Sequence, residues 1–375
     1  MELFNKHLHL IPIFLLHVMY WFSTTTTLRA QAPLTKQTAN NAHSSVSAIL
    51  VFGDSTVDPG NNNYEMTMFK SNFQPYGRDF LNQKPTGRFT NGRLSTDYIA
   101  SYAGVKEYVP PYLEPSLSIE EMMTGVSFAS AGSGFDPLTP GISNVIPIQK
   151  QMEYFREYKK RLESAVGKQQ AESHIKKAVF IVSAGTNDFV VNYFTLPIRR
   201  NNYTVSAYQQ FLIQHVSDFI QGLWAEGARK IGVAGLPPMG CLPIVITLNS
   251  ENAILQRGCI EYYSAVARKY NLMLQNQLHV LHNTLSVSGA PIYYLDVYGP
   301  LMDMIQGSTK FGIDVVNSGC CGSGYLEASF MCNPQSYACP DASKYVFWDS
   351  IHPTEFAYYI VFKHVRPVLD LLIKD

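Results

Sequence analysis

The sequence predicts an α/β protein with a mainly parallel five-stranded sheet covered by helices on both faces. Three observations carry that expectation. Short apolar runs alternate along the chain with longer stretches of helical periodicity, the pattern of strand–helix–strand units. The clearest runs are apolar throughout rather than alternating, as in strands buried on both sides. The 375 residues are 46% hydrophobic, enough for a large core, and neither an internal repeat nor a linker interrupts them.

The first strand is Ala48-Ile49-Leu50-Val51-Phe52, ended by the turn Gly53-Asp54-Ser55 and the polar stretch Asp58-Pro59-Gly60-Asn61-Asn62-Asn63. A long irregular region follows, with Pro75-Tyr76-Gly77-Arg78 and the run from Pro85 to Arg93. Its embedded aromatics and arginines predict an ordered loop beside the strand end. A short helix over Leu94 to Ala103 comes next. Gly125 to Ala131 is the second strand, running into Gly132-Ser133-Gly134. Gln149 to Val166 is an amphipathic helix with Met152, Phe155, Tyr158 and Leu162 on one face.

The third strand, Ala178 to Val182, leads into Ser183-Ala184-Gly185-Thr186-Asn187-Asp188. A helix over Val205 to Ala225, a fourth strand over Lys230 to Gly235 and a helix over Ile260 to Thr284 continue the alternation. The fifth strand is Ile292 to Val297. After a cysteine-rich loop, Phe347-Trp348-Asp349-Ser350-Ile351-His352-Pro353 opens a last helix reaching Lys374, with Pro353 expected at its first position. Phe356, Ile360, Val361, Val365, Val368, Leu369 and Leu372 form its apolar stripe.

The N-terminus predicts a targeting segment. Lys6 precedes an apolar run from Leu8 to Phe22, shorter than the ~20 residues needed to span a bilayer. Residues 1–30 are expected to be a signal peptide, 31–46 a flexible leader, and 47–375 a single domain of a secreted, extracellular protein. All six cysteines, Cys241, Cys259, Cys320, Cys321, Cys332 and Cys339, lie in that domain, and their even number suits disulfides. Adjacent Cys320 and Cys321 are poor partners for each other. Asn202-Tyr203-Thr204 is a glycosylation sequon at Asn202.

Formal net charge is zero and the Lys and Arg residues are scattered, which argues against a nucleic-acid or anionic-membrane partner. Neither Cys-x-x-Cys nor His-Glu-x-x-His occurs, so no metal site is expected. Oligomeric state stays open.

The chemistry-bearing residues fit nucleophilic catalysis. Ser55 sits at the carboxyl end of a strand, where open α/β sheets place their ligands. A serine needs a base, a group that orients the base, and oxyanion donors. Asp349 and His352, three residues apart, can supply base and orienter, with the carboxylate on Nδ1 and Nε2 free. Gly132 can bring its N–H close to a reacting carbonyl, and Asn187 can offer an amide donor. Taken alone, each of these residues fits a plain turn or cap role better. Val57 stands where a Gly-x-Ser-x-Gly elbow needs its second glycine, which argues against the α/β-hydrolase design.

Together the blocks resemble the plant secreted GDSL esterase/lipases of the SGNH hydrolase superfamily. The first is Phe52-Gly53-Asp54-Ser55-Thr56-Val57-Asp58-Pro59-Gly60-Asn61-Asn62-Asn63 and the second Gly125 to Gly134. The third is Gly185-Thr186-Asn187-Asp188 and the last Phe347 to Thr354. Pro85 to Arg93 and Gly235-Leu236-Pro237-Pro238-Met239-Gly240-Cys241 look like the plant branch. Thr56 replaces the leucine of the family name, and Ala131 a frequent glycine; neither is a reacting group.

The resemblance implies a three-layer α/β/α, flavodoxin-like fold and no cofactor or metal. It implies Ser55 as nucleophile, His352 as general base and acid oriented by Asp349, and the Ser55 N–H, Gly132 N–H and Asn187 amide as oxyanion donors. The expected activity is hydrolysis of carboxylic esters, of lipids or acylated small molecules, through an acyl-enzyme. An acyltransferase using the same site, or a silent cell-wall or lipid-binding protein, are the alternatives. Disulfides are expected for Cys241–Cys259, and for Cys320 and Cys321 each with one of Cys332 and Cys339.

Overall fold

The computed structural model describes residues 46–285, 291–322 and 332–373. The expected signal peptide and nearly all of the expected leader lie outside them. Four parallel strands form the sheet: β1 (Ile49–Gly53), β2 (Val179–Ser183), β3 (Lys230–Ala234) and β4 (Ile292–Leu295), hydrogen-bonded in that order.

The principal helices are α1 (Ser95–Tyr102), α2 (Ile148–Val166), α3 (Lys168–Lys177), α4 (Val205–Ala225), α5 (Glu261–Leu285) and α6 (Glu355–Ile373). Successive strand side chains point to opposite faces, and the core divides accordingly. Leu50, Phe52, Phe180 and Val182 pack with α2, α4 and α5. Ile49, Val51, Val179 and Ile181 pack with α1 and α6. The result is the three-layer α/β/α architecture. On the first face Phe52 stacks on Phe128 at 4.9 Å, and Phe155 meets Phe180 edge-on at 5.4 Å.

The expected second strand differs from a regular one. Residues 124–130 do run along the free edge of β1, with Val51 N–H donating to Val126 O, Phe128 N–H to Val51 O and Ser130 N–H to Gly53 O. Only Ser127 forms a strand bridge, to Val51 on one side and Pro111 on the other. The sheet therefore has four regular strands, not five. Two causes are visible. Gly125 turns at φ +114°, where a Cβ would collide with the Ile49 backbone at 2.1 Å. On the far side lie Pro110 and Pro111, which have no N–H for a ladder. Counting this segment second, the order is 2-1-3-4-5, the flavodoxin-like arrangement.

Pro353 also differs from expectation. It precedes α6 by two residues and bridges back to Phe347, while Thr354 Oγ1 accepts the Ala357 N–H and caps the helix. The disulfides are Cys241–Cys259, Cys320–Cys339 and Cys321–Cys332, so the adjacent cysteines take separate partners. No described helix is long and apolar enough to cross a membrane.

Candidate active site

The site lies at the carboxyl ends of the strands, and its position begins with Gly53. This residue closes β1 at φ +143°, so close to β2 that a Cβ would stand 1.8 Å from Ser183 O. Only glycine fits there. The Gln151 side chain from α2 clasps it on both sides, Oε1 accepting the Gly53 N–H and Nε2 donating to Gly53 O, each at 2.9 Å. Asp54 Oδ1 then accepts Thr56 N–H and Thr56 Oγ1, winding the turn that presents Ser55. Burial pushes the Asp54 carboxyl up to about 6, against the pull of those Thr56 bonds and of His352.

Ser55 Oγ lies 2.7 Å from His352 Nε2. Asp349 faces the other ring nitrogen, with Oδ1 and Oδ2 at 2.8 and 2.7 Å from Nδ1. That contact selects the tautomer with the proton on Nδ1 and leaves Nε2 to accept from the serine. The carboxylate is fully saturated. It also accepts the backbone N–H groups of Ile351 and His352 and, at 2.7 Å, the hydroxyl of buried Tyr76. Phe89 packs against the imidazole at 5.0 Å between ring centres.

Polar side chains from the first block fix the approach to Gly132, while Asn187 is tied to the second block. Asp58 accepts the N–H groups of Gly60, Asn61 and Ala131. Asn61 Nδ2 donates to Ser127 O and Ala129 O, and Asn62 Nδ2 to Ala131 O. These bonds fix the chain that runs into Gly132, which adopts φ +87°. Asn187 Nδ2 donates to Ser133 O at 2.9 Å, leaving its second amide hydrogen unused by that bond. Asn187 and Ser55 line one cavity. Among the described residues no group of three or more His, Cys, Asp or Glu could hold a metal ion.

The family model of GDSL-like lipase/acylhydrolases matches residues 49–365, which include every residue of this centre. The chain belongs to the GDSL family. A GDSL esterase/lipase of Arabidopsis thaliana is 64% identical over 329 residues, 88% of each chain. A second from the same plant is 42% identical over 350 residues, covering 92% of this chain and 96% of the relative. Among solved structures, the lipase Lip_vut3 from a goat rumen metagenome covers 86% of this chain and 97% of its own, at 12% identity and a TM-score of 0.39. This GDSL protein is a carboxylic-ester hydrolase.

Three residues of this GDSL hydrolase carry positions that sequence reasoning gave no role. Gln151 and Tyr76 reach the site across 98 and 273 residues. Asp188 closes the third block onto the second: it accepts Phe135 N–H, Asp136 N–H and Thr139 Oγ1, and its carboxyl occupies the space a Cβ on Gly134 would need. Burial, together with nearby Asp136, pushes Asp188 up to about 7 against those three donors. The only advance signal for Asp188 was its place beside Asn187.

Proposed function

We propose that the protein is a secreted esterase/lipase that cleaves carboxylic esters through an acyl-enzyme on Ser55. The observation that carries this reading is the buried chain Ser55–His352–Asp349, with both links at 2.8 Å or less. His352 Nε2 takes the proton as Ser55 Oγ bonds to the ester carbonyl carbon. The developing oxyanion meets the Ser55 and Gly132 N–H groups and the Asn187 amide. His352 returns the proton to the leaving alcohol as its C–O bond breaks. Water then adds to the acyl-enzyme by the same route, releasing the acid and restoring Ser55.

Secretion is supported by the apolar run near the N-terminus and by three disulfides, which persist in oxidising compartments. The proposed layout is a signal peptide over 1–30, a leader over 31–46 and one hydrolase domain over 47–375. Asn202 is exposed in the turn before α4, open to glycosylation.

A phosphonate probe for active serines tests the assignment. Peptide mass mapping is expected to find the adduct on Ser55 alone; an adduct on another serine, with Ser55 untouched, removes it. The oxyanion role of Asn187 has its own test. Asn187→Ala is expected to lower kcat by about 10²–10³ with KM nearly constant, since the charge it binds exists only in the transition state. Loss of the Ser133 bond would also lower the melting temperature. A variant that melts early yet keeps its kcat per titrated site makes Asn187 a turn residue only.

A further inference from the structure

The cavity that opens beside Ser55 does not stop at the site. It continues beneath the strand ends into the layer between the sheet and helices α1 and α6. Exposure values trace its course. On the same sheet face Ile49, Val51 and Val179 are 0% exposed, fully packed, whereas Ile181, Ile99, Leu295, Val361 and Val365 keep 2 to 4%. These five residues line the cavity.

The cavity includes in its polar lining Ser55, Thr186 and Asn187 at the strand ends, and Ser95, Thr96 and Tyr358 on the two helices. Its rear is apolar, walled by Leu295, Leu301 and Val365, each at least 96% buried. Along α6 the lining runs from Tyr358 to Val365, seven residues or about 10 Å of helix. An enclosure lined mainly by apolar side chains gives water few partners and is filled favourably by hydrocarbon.

We propose that this internal cavity takes the acyl chain of the ester and limits it to medium length. The proposal rests on the acyl-enzyme reading above. Of the two halves of an ester, the acyl group stays bonded to Ser55 through both steps, while the alcohol must leave before water can enter. A pocket whose far end is walled by buried side chains suits the half that stays. Short acyl groups leave the rear empty and long ones meet Val365 and Leu295.

The test is a series of p-nitrophenyl esters, from acetate through butyrate and octanoate to palmitate. The expected kcat/KM rises by up to about fourfold per methylene, the equivalent of about 0.8 kcal/mol, and falls again at palmitate. Val365→Phe, which fills the rear, is expected to lower the octanoate-to-butyrate ratio at least tenfold. Leu295→Ala, which opens it, is expected to raise the palmitate-to-octanoate ratio. If Val365→Phe fails to fold, Leu295→Ala still decides through the opposite shift. A flat acyl series, or ratios unmoved in folded variants, overturns the cavity proposal and leaves the hydrolase reading intact. So does a length dependence that follows the alcohol in a matched series of alkyl acetates.

Binding separates the two failures. In the Ser55→Ala protein, octanoate is expected to raise the melting temperature and acetate to leave it unchanged, whatever becomes of turnover. No shift with octanoate overturns the cavity. Absence of turnover on every ester, beside that octanoate shift, overturns the hydrolase reading alone.

Discussion

Ser55→Ala is expected to cut ester turnover by about 10⁶-fold while barely moving the melting temperature. The size follows from the unit the serine belongs to: when nucleophile, base and orienter act together, losing the nucleophile removes nearly the whole effect of the set. The small structural cost follows from its surroundings. The Ser55 hydroxyl has a hydrogen bond to His352 Nε2, and the turn around it is held by Asp54, Thr56 and Gln151 instead. Removing one hydroxyl costs on the order of 1 kcal/mol.

His352→Ala is expected to reach the same floor, and the double variant to go no lower, because the two residues contribute to one event. Turnover per mole of purified protein beside a thermal melt reads both quantities. Turnover above a hundredth of the parent level in Ser55→Ala would take the nucleophile elsewhere. A collapse of the fold in the same variant would show that Ser55 carries structure which its contacts do not reveal.

Arg88→Ala is expected to lower the unfolding free energy by about 3–5 kcal/mol, the cost of leaving a buried charge without its partner. Arg88 lies in the Pro85 to Arg93 loop and grips Asp97 of α1 with two bonds of 2.8 Å, from Nε and Nη2. Both side chains are almost wholly buried, 5% and 0% exposed. Asp97 also accepts the Leu94 and Val109 N–H groups, and Arg88 Nη2 donates to Val109 O as well.

That arrangement decides how substitutions behave. Arg88→Lys is expected to recover only part of the loss, since a single ammonium cannot reproduce the fork. Arg88→Met with Asp97→Leu is expected to remain destabilised, because two backbone donors would lose their acceptor. Urea midpoints with a constant m-value measure each step. The loop also carries Phe89, packed on His352, and Thr90, whose hydroxyl donates to Pro353 O. Turnover should therefore fall with stability. A cost under 1 kcal/mol for Arg88→Ala would mean that water reaches Asp97 freely.

The residues proposed for chemistry were legible in the sequence because each sits in a short block whose local pattern is unusual. Asp349 and His352 meet through a single turn: their spacing permits the contact, and the four blocks taken together single it out. Gly53-Asp54-Ser55 follows a strand whose apolar run is unambiguous. The supporting contacts had no such signal. Tyr76 and Gln151 act through folding that brings distant segments together, and nothing in their neighbourhoods points to Asp349 or Gly53.

The few regular elements that the sequence did not show were hidden for different reasons. Helix α3 is mostly polar, with only Ala171, His174 and Ile175 buried, too thin a stripe to stand out beside α2. Pro243–Asn249 is a helix built on Ile244-Val245-Ile246-Thr247, β-branched residues that read as strand until tertiary packing decides. The edge segment 124–130 reads as a full strand because one of the two causes of its failure, Pro110 and Pro111, lies outside the stretch itself.

The 297 residues between Ser55 and His352 also set an order of events in synthesis. Ser55 emerges from the ribosome among the first parts of the described fold and His352 among the last. At about 5–20 residues per second, roughly 15–60 s separate them. During that interval the chain can fold β1 through β4 around Ser55, yet the imidazole of His352 is not there to take its proton. Activity then arrives with α6, which docks on α1 through Tyr98 against Phe362 and through the Tyr98 hydroxyl on Glu355. On the proposed assignment the growing polypeptide is an inert precursor, released from latency by the arrival of His352.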